Sequence, residues 1–496
     1  MEKMRDEFVI GMDLGTSSCK VCAVNFAGRK MAQQSVDYAT LVPHAGWAEQ
    51  DPRHWIPALS QACRALLEKS SISPDQVKGI SLSAAAHIAV LLDRENQLLR
   101  NAILWLDQRA SAQADKLSHE LGQEILELTN NWVSTTWTLP HLLWVQEREP
   151  KVWQKVRHIL LSKDYVGYLL TGSRVTDPSS ATSSMLYDIS RQEWSSKLCS
   201  IANLEPNYLP EVLPANAQIG ALLPVAAQQF GLQNGIPVIN GSLDSTAETF
   251  CAKLTKPGDL AIRLASAGGV HLLLNQAQPH SKLITYPYPV PPIWLVQAGT
   301  NSCASAVQWI RKALNPSEDI SYDQWDNLSS KVEPGAQGLI FHPYLSGERC
   351  PYWDSRLRAS FVGLNFNHGF NHFARAVYEG CAFSLKDALL MLKDMCPVLN
   401  DLTIIGGGAK SKHWCSIVCD VLGAGVARAP EIDSAYGTAL IGLNGLGIYS
   451  TIQEAQRCAD FEKDYLSPNA NSHNLYNEIF AVYQKIQQRL KPIYHQ

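Results

Sequence analysis

Near its start the chain reads Asp13-Leu14-Gly15-Thr16-Ser17-Ser18, a carboxylate, a glycine and three hydroxyls within six residues. Gly15 permits a tight reversal that a residue with a Cβ would resist. The hydroxyls and backbone N–H groups that follow can cradle an anion, and Asp13 is placed to hold a hydrated Mg²⁺. That is the chemistry of a nucleotide's phosphates and their metal. The same residues also make an ordinary surface hairpin whose Asp and Gly serve the turn, and the segment alone does not decide between the two.

A second carboxylate, Asp244, follows an apolar run in the small-residue loop Gly241-Ser242-Leu243-Asp244-Ser245. Strand ends of this kind are where α/β proteins usually build sites. As a general base Asp244 would take a proton from a substrate hydroxyl while that oxygen attacks phosphorus. Taken alone, capping the next helix is the commoner role for such an Asp.

Three further clusters carry weaker signals. Ile404-Ile405-Gly406-Gly407-Gly408-Ala409-Lys410-Ser411 runs from an apolar strand through three glycines toward a helix, where a flat ring or a phosphate can approach the backbone. It has neither a Walker spacing nor a dinucleotide fingerprint. His87, at the end of an apolar run, is either a sugar contact or a satisfied structural histidine. In Trp105-Leu106-Asp107-Gln108-Arg109 the two charges are expected to pair, and Trp105 offers a flat wall to a sugar.

The elements that must position these groups follow from period and punctuation. Strands are expected at Phe8 to Met12, Val21 to Phe26, Lys30 to Tyr38, Val77 to Ala84, Val90 to Leu92 and Ile103 to Leu106. A helix should start after Asp51-Pro52 and end near Lys69. More helices are expected around 110–128, 137–148 and 151–170. From Val238 the pattern strand, Gly/Ser turn, strand returns, with Asp259 to Leu264, the turn Ala265-Ser266-Ala267-Gly268-Gly269, and Val270 to Leu274. Further on come Gly338 to Tyr344, a helix from about His372 to Lys393, and Leu402 to Ile405. Two halves that each open on a phosphate-type hairpin suggest duplication of one α/β unit, with a cleft between.

Composition narrows the class. At 496 residues two large domains are the default, and 46% hydrophobic with 18% charged residues is a globular balance. A net charge of −4 with no basic block argues against nucleic-acid binding. No secretory signal or membrane-length apolar run is present, so the cytosol is the expected compartment. The twelve cysteines are scattered and read as buried thiols rather than disulfides or metal ligands.

Together these pieces resemble the FGGY carbohydrate kinases, within the sugar kinase/actin/Hsp70-like superfamily. The most specific match is Ala359-Ser360-Phe361-Val362-Gly363-Leu364, seven residues, then His372-Phe373-Ala374-Arg375-Ala376-Val377-Tyr378-Glu379, which agrees with the family's C-terminal signature. Within the family the chain is most similar to xylulokinases, through Trp47-Ala48-Glu49-Gln50-Asp51-Pro52, Ala102-Ile103-Leu104-Trp105 and Pro343-Tyr344-Leu345-Ser346-Gly347-Glu348-Arg349.

The resemblance implies an α/β fold of two ribonuclease H-like domains, residues 1–246 for sugar and base and 247–496 for ATP, around a central cleft. It implies Asp244 as catalytic base, with Ala86, His87, Trp105 and Ser245 beside the sugar. ATP would meet Gly15, Thr16, Ser17, Ser266, Gly268, Ala304, Gln308, Gly408, Ala409 and Lys412. Mg²⁺ would sit near Asp13 and Asp244, through water. The reaction implied is transfer of phosphate from ATP to a primary hydroxyl, of D-xylulose in the first place. A kinase of another ketose, polyol or gluconate, or a catalytically weak sugar-binding regulator, stands as the alternative. Dimers are common in the family, so a homodimer is the assembly it suggests.

Four departures bear on the sugar and on activity. Ala86 stands where xylulokinases have methionine, and Ser245 where they usually have Asn. The second turn reads Leu-Ala-Ser-Ala-Gly instead of Leu-Gly-Thr-Ser-Gly, and His141 replaces a signature lysine.

Overall fold

The computed structural model describes residues 6–314, 320–396, 398–400 and 402–496. Strand β1 (Phe8–Leu14) forms a hairpin with β2 (Ser18–Asn25), which pairs onward with β3 (Lys30–Asp37). On its other side β1 lies parallel to β4 (Val77–Ala84), and β4 lies parallel to β6 (Pro237–Leu243). With β5 (Gln218–Ala221) at the edge, the sheet order is β5-β6-β4-β1-β2-β3.

The second sheet repeats that plan. Its hairpin is β7 (Leu260–Leu264) and β8 (Gly268–Leu274), followed by β10 (Trp294–Gly299) with β9 (Ile284–Pro287) outside it. On the other side β7 is parallel to β11 (Leu402–Ile405), then β12 (Val426–Arg428), with β13 (Asp464–Leu466) last. A hairpin strand with a parallel neighbour on its other side thus sits at the heart of both sheets, as the repeated strand–turn–strand pattern leads one to expect.

Burial on both faces explains why these strands read as continuous apolar runs. Along β1, Ile10 and Met12 face one core with Leu59 and Leu66 of α1 (Trp55–Ser70). Val9 faces another, against Ala435 and Ala439 of α6 (Ser434–Gly445). A Cβ at Gly11 would stand 1.9 Å from the Ala435 carbonyl oxygen, and one at Gly437 1.9 Å from that of Ala247. Those two glycines let α6 pack between the first sheet and α2 (Asp244–Cys251).

Two expected elements differ. A single helix over 151–170 is interrupted by a strand, His158–Leu161, because those residues pair antiparallel with Ala89–Leu92. The strand expected over 103–106 ends at Ile103. There Leu104 N–H donates to the Ala48 carbonyl and Asp107 N–H to that of Leu104, which turns the chain. The helix that follows β6 starts at Asp244 itself, with Leu243 as its cap residue. All twelve cysteines are free. Among the described residues no cluster of three metal-binding side chains occurs, and no helix is long and apolar enough to cross a membrane.

Candidate active site

The two carboxylates singled out in the sequence stand at the C-terminal ends of parallel strands, where an open α/β sheet presents its loops. Asp13 is in β1 and pairs with Ser83 of β4, while Leu243, just before Asp244, pairs with Ala84 of the same strand. One strand therefore separates the two.

Asp13 is almost fully buried, at 5% exposure. It accepts a hydrogen bond from Ser83 Oγ at 2.9 Å, and the Ser434 side chain at the start of α6 also bonds it. Burial raises its pKa, and Lys20 pulls it down. Asp244 accepts the Ser245 N–H at 2.7 Å. Burial pushes its carboxyl up to about 6, against the Arg263 guanidinium, which lowers it, and with the Asp13 charge, which raises it further. Arg263 is held at the end of β7 by Glu248 of α2, with Nε 2.5 Å from Oε2. That ion pair ties the helix bearing Asp244 to the second turn. Behind Asp244, Ser242 Oγ donates to Asp177 at 3.1 Å, and Lys163 Nζ donates to Asn240 at 2.8 Å. These buried bonds fix the end of β6.

Both glycine/serine turns are pinned through their carbonyls. In the first, Gly15 O accepts from Tyr38 OH, Thr16 O from Gln50 Nε2 at 2.6 Å and Ser17 O from Tyr38 N–H at 3.1 Å. In the second, Ala265 O accepts from Ala304 N–H at 2.9 Å. Ser266 O accepts from Cys303 N–H at 3.0 Å and from Ser305 Oγ at 2.8 Å. Gly15 N–H is given to Ser18 O at 3.0 Å and Gly268 N–H to the Thr300 hydroxyl at 3.1 Å, so the remaining N–H groups and the hydroxyls are what the turns can offer an anion. Ala304 thus starts α3 (Ala304–Leu314) directly behind the second turn, and Gln308 is exposed one turn further on.

The glycine run adjoins the second turn. Gly406, at φ +87°, lies against the Leu264 backbone, and a Cβ at Gly408 would be 2.7 Å from Leu264 Cβ. A short 3-10 turn, Gly407–Lys410, intervenes before α5 (Lys412–Leu422), whose cap is Ser411. The Ala409 side chain is buried in the core, so only its backbone can meet a ligand. Lys412 is paired with Asp464 at 3.1 Å.

On the sugar side, His87 has both ring nitrogens engaged. Nδ1 is 2.9 Å from Ser183 O and Nε2 is 2.9 Å from Tyr286 OH of β9. Burial drives its pKa down to about 3, so the ring is neutral. The bonds then fix the tautomer: Nδ1–H donates to Ser183, and Nε2 accepts from Tyr286. Ala86 and Ser245 are both partly buried beside these groups in the chain. Trp105 Nε1 donates to Thr16 Oγ1 at 3.0 Å, which joins the expected sugar wall to the first turn. Asp107 and Arg109 do pair, at 2.8 Å, and Arg109 also binds Glu49. His141 is buried close to Asp107, with its pKa lowered to about 4, and is neutral like His87.

Tyr286, Arg263 and Arg349 are not among the residues expected at the site, although Arg349 ends the segment Pro343 to Arg349. Arg263 left one faint signal, a charge in an otherwise apolar strand just before a turn. Tyr286 left none, since only the fold brings β9 to His87.

A hydrated Mg²⁺ carried in with a nucleotide fits this donor set. Mg²⁺ keeps several waters and uses one or two carboxylates plus phosphates, which Asp13 and Asp244 can supply without a third protein ligand.

The family model described as FGGY family of carbohydrate kinases, N-terminal domain, matches residues 8–251, and its C-terminal counterpart matches residues 267–445. A xylulose kinase of Lactococcus lactis subsp. lactis is 31% identical over 493 residues, 99% of this chain and 98% of that protein. A gluconokinase of Bacillus licheniformis is 27% identical, covering 90% of this chain and 88% of its own. The crystal structure of xylulose kinase from Rhodospirillum rubrum superposes with a TM-score of 0.87 at 27% identity, over 99% of this chain and 100% of that one.

Proposed function

The chain belongs to the FGGY family of carbohydrate kinases, and on that premise we propose that its substrate is D-xylulose, converted to D-xylulose 5-phosphate in the cytosol. That it is an ATP-dependent sugar kinase follows from the family itself. The observation that carries the reading is the meeting of Asp244, Asp13 and two carbonyl-pinned turns at the strand ends of two like sheets.

Asp244 takes the proton of the sugar's primary hydroxyl as that oxygen attacks the γ-phosphorus. The bond from γ-phosphorus to the bridging oxygen breaks, and ADP leaves. With a pKa of about 6, Asp244 is ionised at neutral pH yet basic enough to accept a proton. N–H groups of the turns near Gly15, Thr16 and Ser266 meet the charge that develops on the phosphoryl oxygens. Mg²⁺, held through water by Asp13 and Asp244, would supply charge neutralisation when bound. The sugar lies between Trp105, Ala86, His87 and Ser245, and the nucleotide lies along 265–268, 304–308 and 406–409. Residues 1–246 and 247–496 form the two working halves.

The similarity to xylulose kinases along nearly the whole chain favours D-xylulose. A panel of ketoses, polyols and aldonates, assayed by ADP release, tests it. D-xylulose should give the highest kcat/KM. A better rate on gluconate or another polyol overturns the sugar, and no stimulation by any sugar overturns the kinase reading.

A further inference from the structure

Arg349 stands at a junction between the second turn and Trp105. Its Nη2 donates to the Thr300 carbonyl at 2.9 Å, and the Thr300 hydroxyl accepts Gly268 N–H of the second turn at 3.1 Å. Its guanidinium lies flat on Gly299, where an added Cβ would be 2.9 Å from Cζ. On its other side Cζ is 5.8 Å from the ring of Trp105, whose Nε1 binds Thr16 of the first turn. The guanidinium therefore sits between the two turns, with Tyr286 also facing it.

The charge is poorly compensated. Arg349 Nε is buried and has no hydrogen-bond partner among the described residues. The adjacent Glu348 carboxylate is spent elsewhere, accepting Asn301 N–H at 2.5 Å, Arg349 N–H at 2.8 Å and Ser384 Oγ at 3.3 Å. Burial lifts Glu348 to about 7, so much of it is neutral at neutral pH. Cys350 and Arg263, the other groups facing Arg349, supply no carboxylate. A buried guanidinium N–H left open is costly unless a ligand completes it.

We propose that Arg349 is a further catalytic residue of this kinase, donating Nε–H to an equatorial oxygen of the phosphoryl group as it passes from ATP to the sugar. The proposal rests on the kinase reading above. A neutral sugar hydroxyl would use the hydrogen bond but not the charge, and the two turns that bracket the guanidinium are phosphate sites, so the phosphoryl group is the partner favoured. In transfer, the sugar oxygen forms its bond to phosphorus, the bond to the ADP oxygen breaks, and the hydroxyl proton goes to Asp244. Arg349 stays protonated throughout.

The test compares wild type with Arg349→Met and Arg349→Gln, on whichever sugar the wild type turns over, with melting curves for each. The proposal expects kcat to fall about 10²–10³-fold while KM for sugar and for ATP change less than about threefold. Added guanidinium ion should restore at least about tenfold of the Met variant's rate, which a structural role would not produce. Arg349→Gln keeps a donor for Thr300 and decides the matter if Arg349→Met fails to fold. A kcat within about threefold of wild type, or a sugar KM raised more than about tenfold at unchanged kcat, overturns the proposal. Wild type active only on another sugar sinks the D-xylulose assignment and leaves this test intact.

Discussion

Asp13 and Asp244 flank the end of one strand, β4, and the charge on Asp13 helps to raise the pKa of Asp244. Two neighbouring carboxylates with raised pKa values invite a division of labour. Asp13, buried and bonded to Ser83 and Ser434, is the fixed one and suits metal-bound water. Asp244, partly open at the head of α2, is the one proposed above to meet a substrate hydroxyl.

A base with a folded pKa of about 6 must be ionised to work, so kcat should rise with pH through about 6 and then level. Replacing Arg263 by Met removes the cation that lowers that pKa, so the acid limb should move to higher pH. A pH–rate profile of both proteins checks it. An unmoved limb contradicts the part given to Arg263.

Stability should run opposite to activity at Asp244. Its folded pKa lies above that of the unfolded chain, so its favourable contribution is complete below the unfolded pKa. That contribution is lost as pH rises through about 6. Asp244→Asn should therefore raise Tm at pH 8 by roughly 1–5 °C while turnover is lost. The gain should shrink toward pH 4. Melting curves across pH read the sign directly.

Tyr286→Phe leaves His87 Nε2 without its donor and cuts a tie between the two halves. A lost buried hydrogen bond costs about 1–3 kcal/mol. The sugar KM should rise about 5–20-fold with ATP KM unchanged, because His87 loses its fixed orientation. Equal changes in both KM values would assign Tyr286 a general packing role.

Gly11→Ala puts a methyl 1.9 Å from the Ala435 carbonyl. Helix α6 must move, and with it Ser434, a partner of Asp13. Overpacking of this kind costs about 1–3 kcal/mol or more. A wild-type melting curve would show that α6 is more loosely seated than the contact implies.

The sequence disclosed what is local. The hairpin at Asp13, its partner at 265–269 and the strand-end Asp244 each consist of neighbours in the chain, and the charges of Asp13 and of Arg263, at the end of β7, both act on Asp244. What pairing across the fold decides was out of reach. His158–Leu161 reads as helix until Ala89–Leu92 claims it as a strand. Tyr286 and Arg349 reach the site from β9 and from a loop far along the chain, so their part shows only when their partners are in place. His87 was open between two roles. The fold occupies both its nitrogens, so any sugar contact it makes must be shared with Tyr286.

The central claim, a sugar kinase whose base is Asp244, meets its most direct test in one assay. ATP and D-xylulose are supplied to wild type and to Asp244→Ala, and ADP and the 5-phosphate product are followed together. Wild type should form both in matched amounts, and the variant should show a kcat reduced by at least about 10³-fold with nucleotide binding retained. Near-normal turnover by Asp244→Ala would contradict it.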